Sequence, residues 1–240
     1  MNTWLQRLTL AAAAATALQA TAAPDVACAV RAQGPAPTVV ELYTSEGCSS
    51  CPPAEAWLNR LNAGPGVLPL AFHVSYWDHL GWPDRFASPE ATERQRQLAR
   101  LAGQRGVYTP QVRAAGADWQ RWPSLPARAS SPGPVLDLAR DGDGFIARVH
   151  AWPGGALAGY WAVLEDGHES RVRAGENAGS TLRHDHVVRL YRPVAAWPVG
   201  QAFGSRLAVS RGVDAHPRRV AFVVVDAAQQ RPLQAAVLGC

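Results

Sequence analysis

No lysine occurs in the 240 residues, so all 23 basic side chains are arginine. They are spread along the chain without the single dense patch that a nucleic-acid footprint would leave, so no nucleic-acid partner is expected. The abundance of Ala, Arg, Gly and Pro fits a bias in nucleotide composition as well as selection for function. No apolar run reaches the roughly 20 residues that span a bilayer. The apolar stretch 8–18 follows Arg7 and precedes Ala20-Thr21-Ala22, the small-residue pattern of a signal-peptidase site. Residues 1–22 are therefore expected to be a secretory signal peptide, with a periplasmic or secreted mature chain and no membrane span. Lipid modification at Cys28 fits poorly, because Asp25 is charged where such a site wants an apolar residue. Losing the leader removes Arg7 and no acid, which takes the formal charge from +4 to +3. Cysteines number only four, and there is no second Cys-x-x-Cys, so the usual structural zinc site built from two such halves is unsupported.

What is present centres on Cys48-Ser49-Ser50-Cys51. Val39, Val40, Leu42, Tyr43 and Thr44 read as a buried strand, and residues 45–47 turn out of it. Ala54, Trp57, Leu58 and Leu61 then form a helical stripe that Gly64-Pro65-Gly66 ends. Pro52 and Pro53 fit only a first turn, where amide protons have no intrahelical partner. Counting back along the stripe puts Cys51 on the inward face and Cys48 at the cap. There the unpaired amides and the helix dipole would favour its thiolate, with Cys51 as the resolving thiol. Four cysteines in an exported chain favour disulfide chemistry. Cys28 and Cys240 could close a bridge between the ends of the chain or remain free.

Further along, residues 67–75 read as a strand parallel to the first across a helical crossover. An aromatic loop follows, Tyr76-Trp77-Asp78-His79-Leu80-Gly81-Trp82-Pro83. Ser88 caps a helix expected over 89–104, with Ala91, Leu98, Leu101 and Ala102 inward and Arg96 and Arg100 on its outer face. Pro110 opens a short strand at 107–112.

As a set, these segments resemble the thioredoxin fold. More narrowly, the run from Glu41 through Cys48-Ser49-Ser50-Cys51 to Pro53, His73-Val74-Ser75-Tyr76-Trp77-Asp78, Gly81-Trp82 and Tyr108-Thr109-Pro110-Gln111 are similar to exported thioredoxin-like proteins of the domain of unknown function 1223 family. Gly175-Glu176-Asn177-Ala178-Gly179, His184 and Val187-Val188-Arg189 are similar to that family too. The resemblance implies an exposed nucleophile at Cys48, a buried resolving Cys51, and a cis-proline, Pro110, facing them. It also implies a Thr109 backbone that receives substrate. Glu41 falls where thioredoxins bury an acid of raised pKa that shuttles the resolving thiol's proton. The other reading of Glu41 is an edge carboxylate facing water.

The expected fold class is accordingly α/β, a thioredoxin-like domain at 36–122, a linker at 123–134 and an all-β, sandwich-like region at 135–240. Strands are expected at 135–140, 145–151, 160–165, 170–174, 184–191, 206–210, 219–225 and 233–238. Asp141-Gly142-Asp143-Gly144 reads as a hairpin turn; the later ligands and distal glutamate of a calcium loop are missing. His184 and His186, two apart on a strand face, could share a metal, though ordinary surface histidines are the expectation. The functional expectation is a thiol–disulfide oxidoreductase that acts on a cysteine-containing protein or small thiol, with no cofactor beyond the cysteine pair and no metal. Two rivals are a copper carrier using the cysteines with His73 or His79, and a redox-inactive scaffold.

Overall fold

The computed structural model describes residues 28–209 and 216–240; the expected signal peptide at 1–22 lies outside them, as does Ser210 of one expected strand. In chain order the strands are β1 (Ala29–Ala32), β2 (Thr38–Thr44), β3 (Val67–His73), β4 (Gln111–Ala114), β5 (Ala117–Asp118), β6 (Leu136–Asp141) and β7 (Gly144–Val149). They continue with β8 (Leu157–Glu165), β9 (His168–Arg171), β10 (Thr181–His184), β11 (Val187–Trp197), β12 (Phe203–Ala208), β13 (Arg218–Asp226) and β14 (Pro232–Leu238). Helix α1 is Pro52–Leu58, α2 is Pro89–Leu101, and a single 3-10 turn covers Asp78–Leu80.

This architecture overturns the expected α/β class: the regular structure of the described residues is mostly β, with only two α-helices, and does not form an α/β thioredoxin fold. The reason lies after β4. The chain adds only the two-residue β5 there, and no helix forms before β6. The place beside β3 is filled instead by β11, from far along the chain. The result is an eight-stranded sheet in the order β14-β13-β8-β11-β3-β2-β4-β5, in which β2 and β3 are parallel and most other pairs are antiparallel. The seam between its limbs is narrow. β11 runs alongside β8 for most of its length but registers with β3 only at Val187 opposite Ala71.

A second sheet, β1-β6-β7-β12, lies over the limb formed by β8, β13 and β14, and β9 and β10 form a separate hairpin. All nine residues of β8 are buried. Its alternate side chains serve two cores: Ala158, Tyr160, Ala162 and Leu164 join the core under α2, whereas Leu157, Trp161 and Val163 face the four-stranded sheet. β13 divides in the same way, Ala221 and Val223 against Phe222 and Val224. A strand covered on both faces reads as a continuous apolar run rather than an alternating one. A third, smaller core sets Ala54, Trp57 and Leu58 of α1 on Val40 and Leu42 of β2.

Cys28 and Cys240 are joined as a disulfide, with a Cα separation of 6.2 Å. Arg140 tightens the junction, its amide donating to the Cys28 carbonyl (2.8 Å) and its Nη1 to the Cys240 carbonyl (2.8 Å).

Candidate functional site

The site begins where β2 stops. Gly47 and Cys48 close a tight turn on Ser45: the Gly47 amide donates to Ser45 Oγ (3.1 Å) and the Cys48 amide to the Ser45 carbonyl (3.1 Å). α1 then starts with prolines at its first two positions, which places Cys51 at the N-cap. The expected cap at Cys48 is thus corrected by three residues, and the helix-terminus reason for a Cys48 thiolate goes with it. Cys48 and Cys51 form a disulfide of 2.13 Å, with Cα atoms 5.4 Å apart. The expected exposed nucleophile is also corrected: Cys48 is 0% and Cys51 1% exposed, while Ser49 and Ser50 face solvent. Ser50 Oγ lies 3.5 Å from Cys48 Sγ.

The segment 175–177 buttresses this turn. Asn177 Nδ2 donates to the carbonyls of both Glu46 and Cys48, each at 2.9 Å, and the Glu176 carboxylate accepts from the Ser49 amide at 3.0 Å. Hydrogen bonds from Ser49 hold the Glu176 carboxyl below its ordinary pKa. Asn177→Ala leaves two carbonyls at a buried site without their donor, and should cost about 1–3 kcal/mol. The same variant should be reduced faster by dithiothreitol, as alkylation and mass spectrometry would show; unchanged reduction kinetics would mean that this buttress does not govern access to the disulfide.

Thr109 and Pro110 lie at the same end of the sheet, because Gln111 pairs with Tyr43 near the end of β2. Their peptide bond is cis. Trp77 connects the two loops: its Nε1 donates to Thr109 Oγ1 at 2.8 Å, and its Cβ would lie 3.1 Å from a Cβ built on Gly47, so a side chain there would crowd the Trp77 main chain and Cβ. Gln95 of α2 steadies the proline loop by donating to the Tyr108 carbonyl (2.8 Å) and Gln111 Oε1 (2.9 Å).

Glu41 does not join the cysteines. Neighbouring Val40 and Leu42 face α1, while Val39 and Tyr43 face the core under α2, and Glu41 shares their side of the strand. It is buried against Arg94 and accepts hydrogen bonds from Tyr43 (3.0 Å) and Tyr160 (2.7 Å). Burial alone would raise its pKa, but Arg94 outweighs burial, and the carboxyl sits below its ordinary value. Both the raised pKa and the water-facing edge position are therefore corrected. Arg94 was not anticipated as its partner, although spacing exposes it: position 94 lies three after Ala91 and four before Leu98, on the inward stripe of α2. Of the expected outer pair, Arg100 makes an exposed ion pair with Glu93.

The histidines also depart from expectation. β10 ends at His184 and β11 begins at Val187, with His186 at φ 58° between them, so the two rings do not share a strand face. Both are buried rather than on the surface. His186 turns to Asp166 and Arg219. His184 enters a polar cluster on the α1 side, its Nε2 3.2 Å from Glu46 Oε1 and its Nδ1 3.1 Å from Glu55 Oε2. Burial works against the imidazolium, yet the two glutamates lift the His184 pKa to about 9. His73 adjoins the cluster with Nδ1 2.7 Å from Asp84 Oδ2. Burial favours a protonated Asp84, but His73 prevails and holds the carboxyl at about 2. His79 is exposed and turned to the Tyr76 carbonyl, away from these groups.

Fold and site together define a mostly β protein that carries a buried Cys-Ser-Ser-Cys disulfide at the start of a short helix. Residues 39–225 match the family described as "Protein of unknown function (DUF1223)", and the chain belongs to that family. Its structure is similar to the crystal structure of protein AGR_C_4864 from Agrobacterium tumefaciens, with 28% identity and a TM-score of 0.62 over 86% of this chain and 96% of that one. It also resembles HBP35 of Porphyromonas gingivalis in fold, at 13% identity and a TM-score of 0.54, covering 85% and 75% of the two chains. No curated protein matches the chain. Among the described residues, no helix is long and apolar enough to cross a membrane.

Proposed function

We propose that this chain is an exported thiol–disulfide oxidoreductase whose reacting group is the Cys48–Cys51 pair. The observation that carries the reading is the Cys48–Cys51 disulfide itself, closed across two intervening residues, the Cys-x-x-Cys spacing in which such a bond opens and recloses by thiol–disulfide exchange. A second disulfide, Cys28–Cys240, suits an oxidising compartment, as does the leader-like sequence at 1–22.

In the reduced state, the Cys48 thiolate attacks one sulfur of a partner disulfide, forming a mixed disulfide and expelling the other partner sulfur as a thiolate. Ser50 Oγ is placed to donate a hydrogen bond to Cys48 Sγ. Cys51 then attacks the Cys48 sulfur, the intramolecular bond closes, and the second partner sulfur leaves. Two electrons and two protons end on the partner, and the reverse sequence oxidises a dithiol. Partners are cysteine-containing proteins or small thiols.

A second reading, a purely structural disulfide, is favoured by one observation: neither cysteine is more than 1% exposed. Titration in glutathione buffers decides between them. The oxidoreductase should show a reversible two-electron transition, and Cys51→Ala should accumulate a mixed disulfide through Cys48. A protein that shows neither while folded holds the bridge for stability alone.

A further inference from the structure

We propose that Glu55, His73 and His184 form a buried site for a divalent metal ion, with zinc(II) the cation that the donor set suits best. The proposal is independent of redox activity at the cysteines. One ligand atom from each of the three residues can be chosen so that all lie within 4.8 Å of one another, and all three residues are buried. They come from three separate elements: Glu55 from α1, His73 from the end of β3 and His184 from the end of β10.

Two features point to a cation rather than to closed hydrogen bonding. His73 Nε2 is buried without a hydrogen-bond partner and lies 3.6 Å from Glu55 Oε1. His184 sits between two carboxylates at 3.1 and 3.2 Å, a place where a metal ion would take over the positive charge by displacing the ring's proton. The Glu55 carboxylate lies between the two rings, Oε2 3.1 Å from His184 Nδ1 and Oε1 3.6 Å from His73 Nε2, separations near the roughly 3.3 Å expected between two atoms bound tetrahedrally to zinc at about 2.0–2.1 Å. Two imidazoles and a carboxylate are donors that zinc accepts readily.

The surroundings match the outer partners that orient metal-bound histidines. His73 presents Nδ1 to Asp84, and Asp84 is itself fixed by the amides of Glu46 and Phe86, each at 2.9 Å. With Nδ1 of His184 directed at Glu55, its Nε2 faces Glu46, which Trp82 Nε1 holds at 2.6 Å. Thr44 Oγ1 donates to Glu55 Oε1 at 2.9 Å, fixing the third ligand. Each ligand thus has a separate anchor.

The test uses purified protein with both disulfides intact, stripped with a chelator and dialysed against cobalt(II) or zinc(II) alone. One equivalent should bind; cobalt should give visible d–d absorption without a thiolate charge-transfer band, and zinc should raise the Tm. His73→Gln should abolish stoichiometric uptake, and Asp84→Asn should weaken it by about 10–100-fold. The Cys48→Ser/Cys51→Ser double variant should bind as wild type, which separates this site from metal carriage by the cysteines. The proposal is overturned if folded wild-type protein takes up no metal, if folded His73→Gln or Glu55→Gln retains full uptake, or if uptake disappears with the cysteines. The wild-type titration decides even where a variant fails to fold.

Discussion

Arg94→Met should destabilise the folded protein by about 3–5 kcal/mol at pH 7, the range expected when a buried ion pair loses one partner. The Arg94 and Glu41 side chains are 1% and 5% exposed, so water cannot take the place of the lost guanidinium. Two tyrosine hydroxyls remain on Glu41 and offset part of the loss. The guanidinium is also packed over the rings of Tyr160 (4.2 Å), Tyr191 (5.0 Å) and Phe72 (5.7 Å), contacts that methionine reproduces only in part. The pH dependence gives the cleaner signature. In the wild type, the folded pKa of Glu41 is lowered, so its stabilisation is complete above the ordinary glutamate value of about 4.3 and is lost as pH falls through the folded value. In Arg94→Met, burial is opposed only by the Tyr160 hydroxyl and the Arg113 charge and should raise that pKa, so the variant recovers stability as the carboxyl takes up a proton. Urea denaturation at pH 7 and pH 4 should therefore show a gap between the two proteins that narrows in acid. A gap that stays constant would assign the loss to ring packing rather than to charge.

Replacing both Cys28 and Cys240 with alanine should cost about 4–5 kcal/mol. The bridge closes a loop across a sequence separation of 212, and chain-entropy reasoning gives long loops the largest effects. The bond also fastens the lead-in to β1, in the four-stranded sheet, to the residues just past β14, in the eight-stranded sheet. Changing both cysteines together avoids a lone thiol that would exchange with Cys48–Cys51. The drop should appear as a lower denaturation midpoint in urea, with native circular dichroism retained in buffer. A loss below about 1 kcal/mol would mean that the Arg140 contacts and the two cores hold the chain ends without it.

Much of the local structure was legible. Each of the eight strands expected after residue 134 overlaps an observed strand, because alternating or continuously apolar runs separated by turn residues leave few other choices. The exception within them is instructive: the expected strand at 184–191 breaks at Asp185 and His186, which is why His184 reaches the cluster around Glu55 while His186 goes elsewhere. The N-cap was misplaced at Cys48, although Pro52 and Pro53 at the first two helical positions mark Cys51 as the cap. β1 was missed because its four residues are half-exposed, with no strong apolar pattern. The architecture as a whole was not legible, because no local signal reports that β11 settles beside β3. Nor could sequence assign a task to Asn177: its partners are main-chain carbonyls about 130 residues away, and such atoms look alike in every residue.

The narrow contact between β3 and β11 has a mechanical implication. Apart from the Val187–Ala71 register, the Ala71 amide donating to the His186 carbonyl at 2.9 Å is the main-chain tie there. Cohesion of the two limbs therefore depends on side chains wedged between them, notably Phe72 against Tyr191 and Arg94 against Tyr160. Amide deuteration should accordingly proceed in two blocks once that wedge is weakened, with the β8–β13 pair outlasting the β2–β3 pair, so that a single continuous sheet would come apart as two hinged leaves.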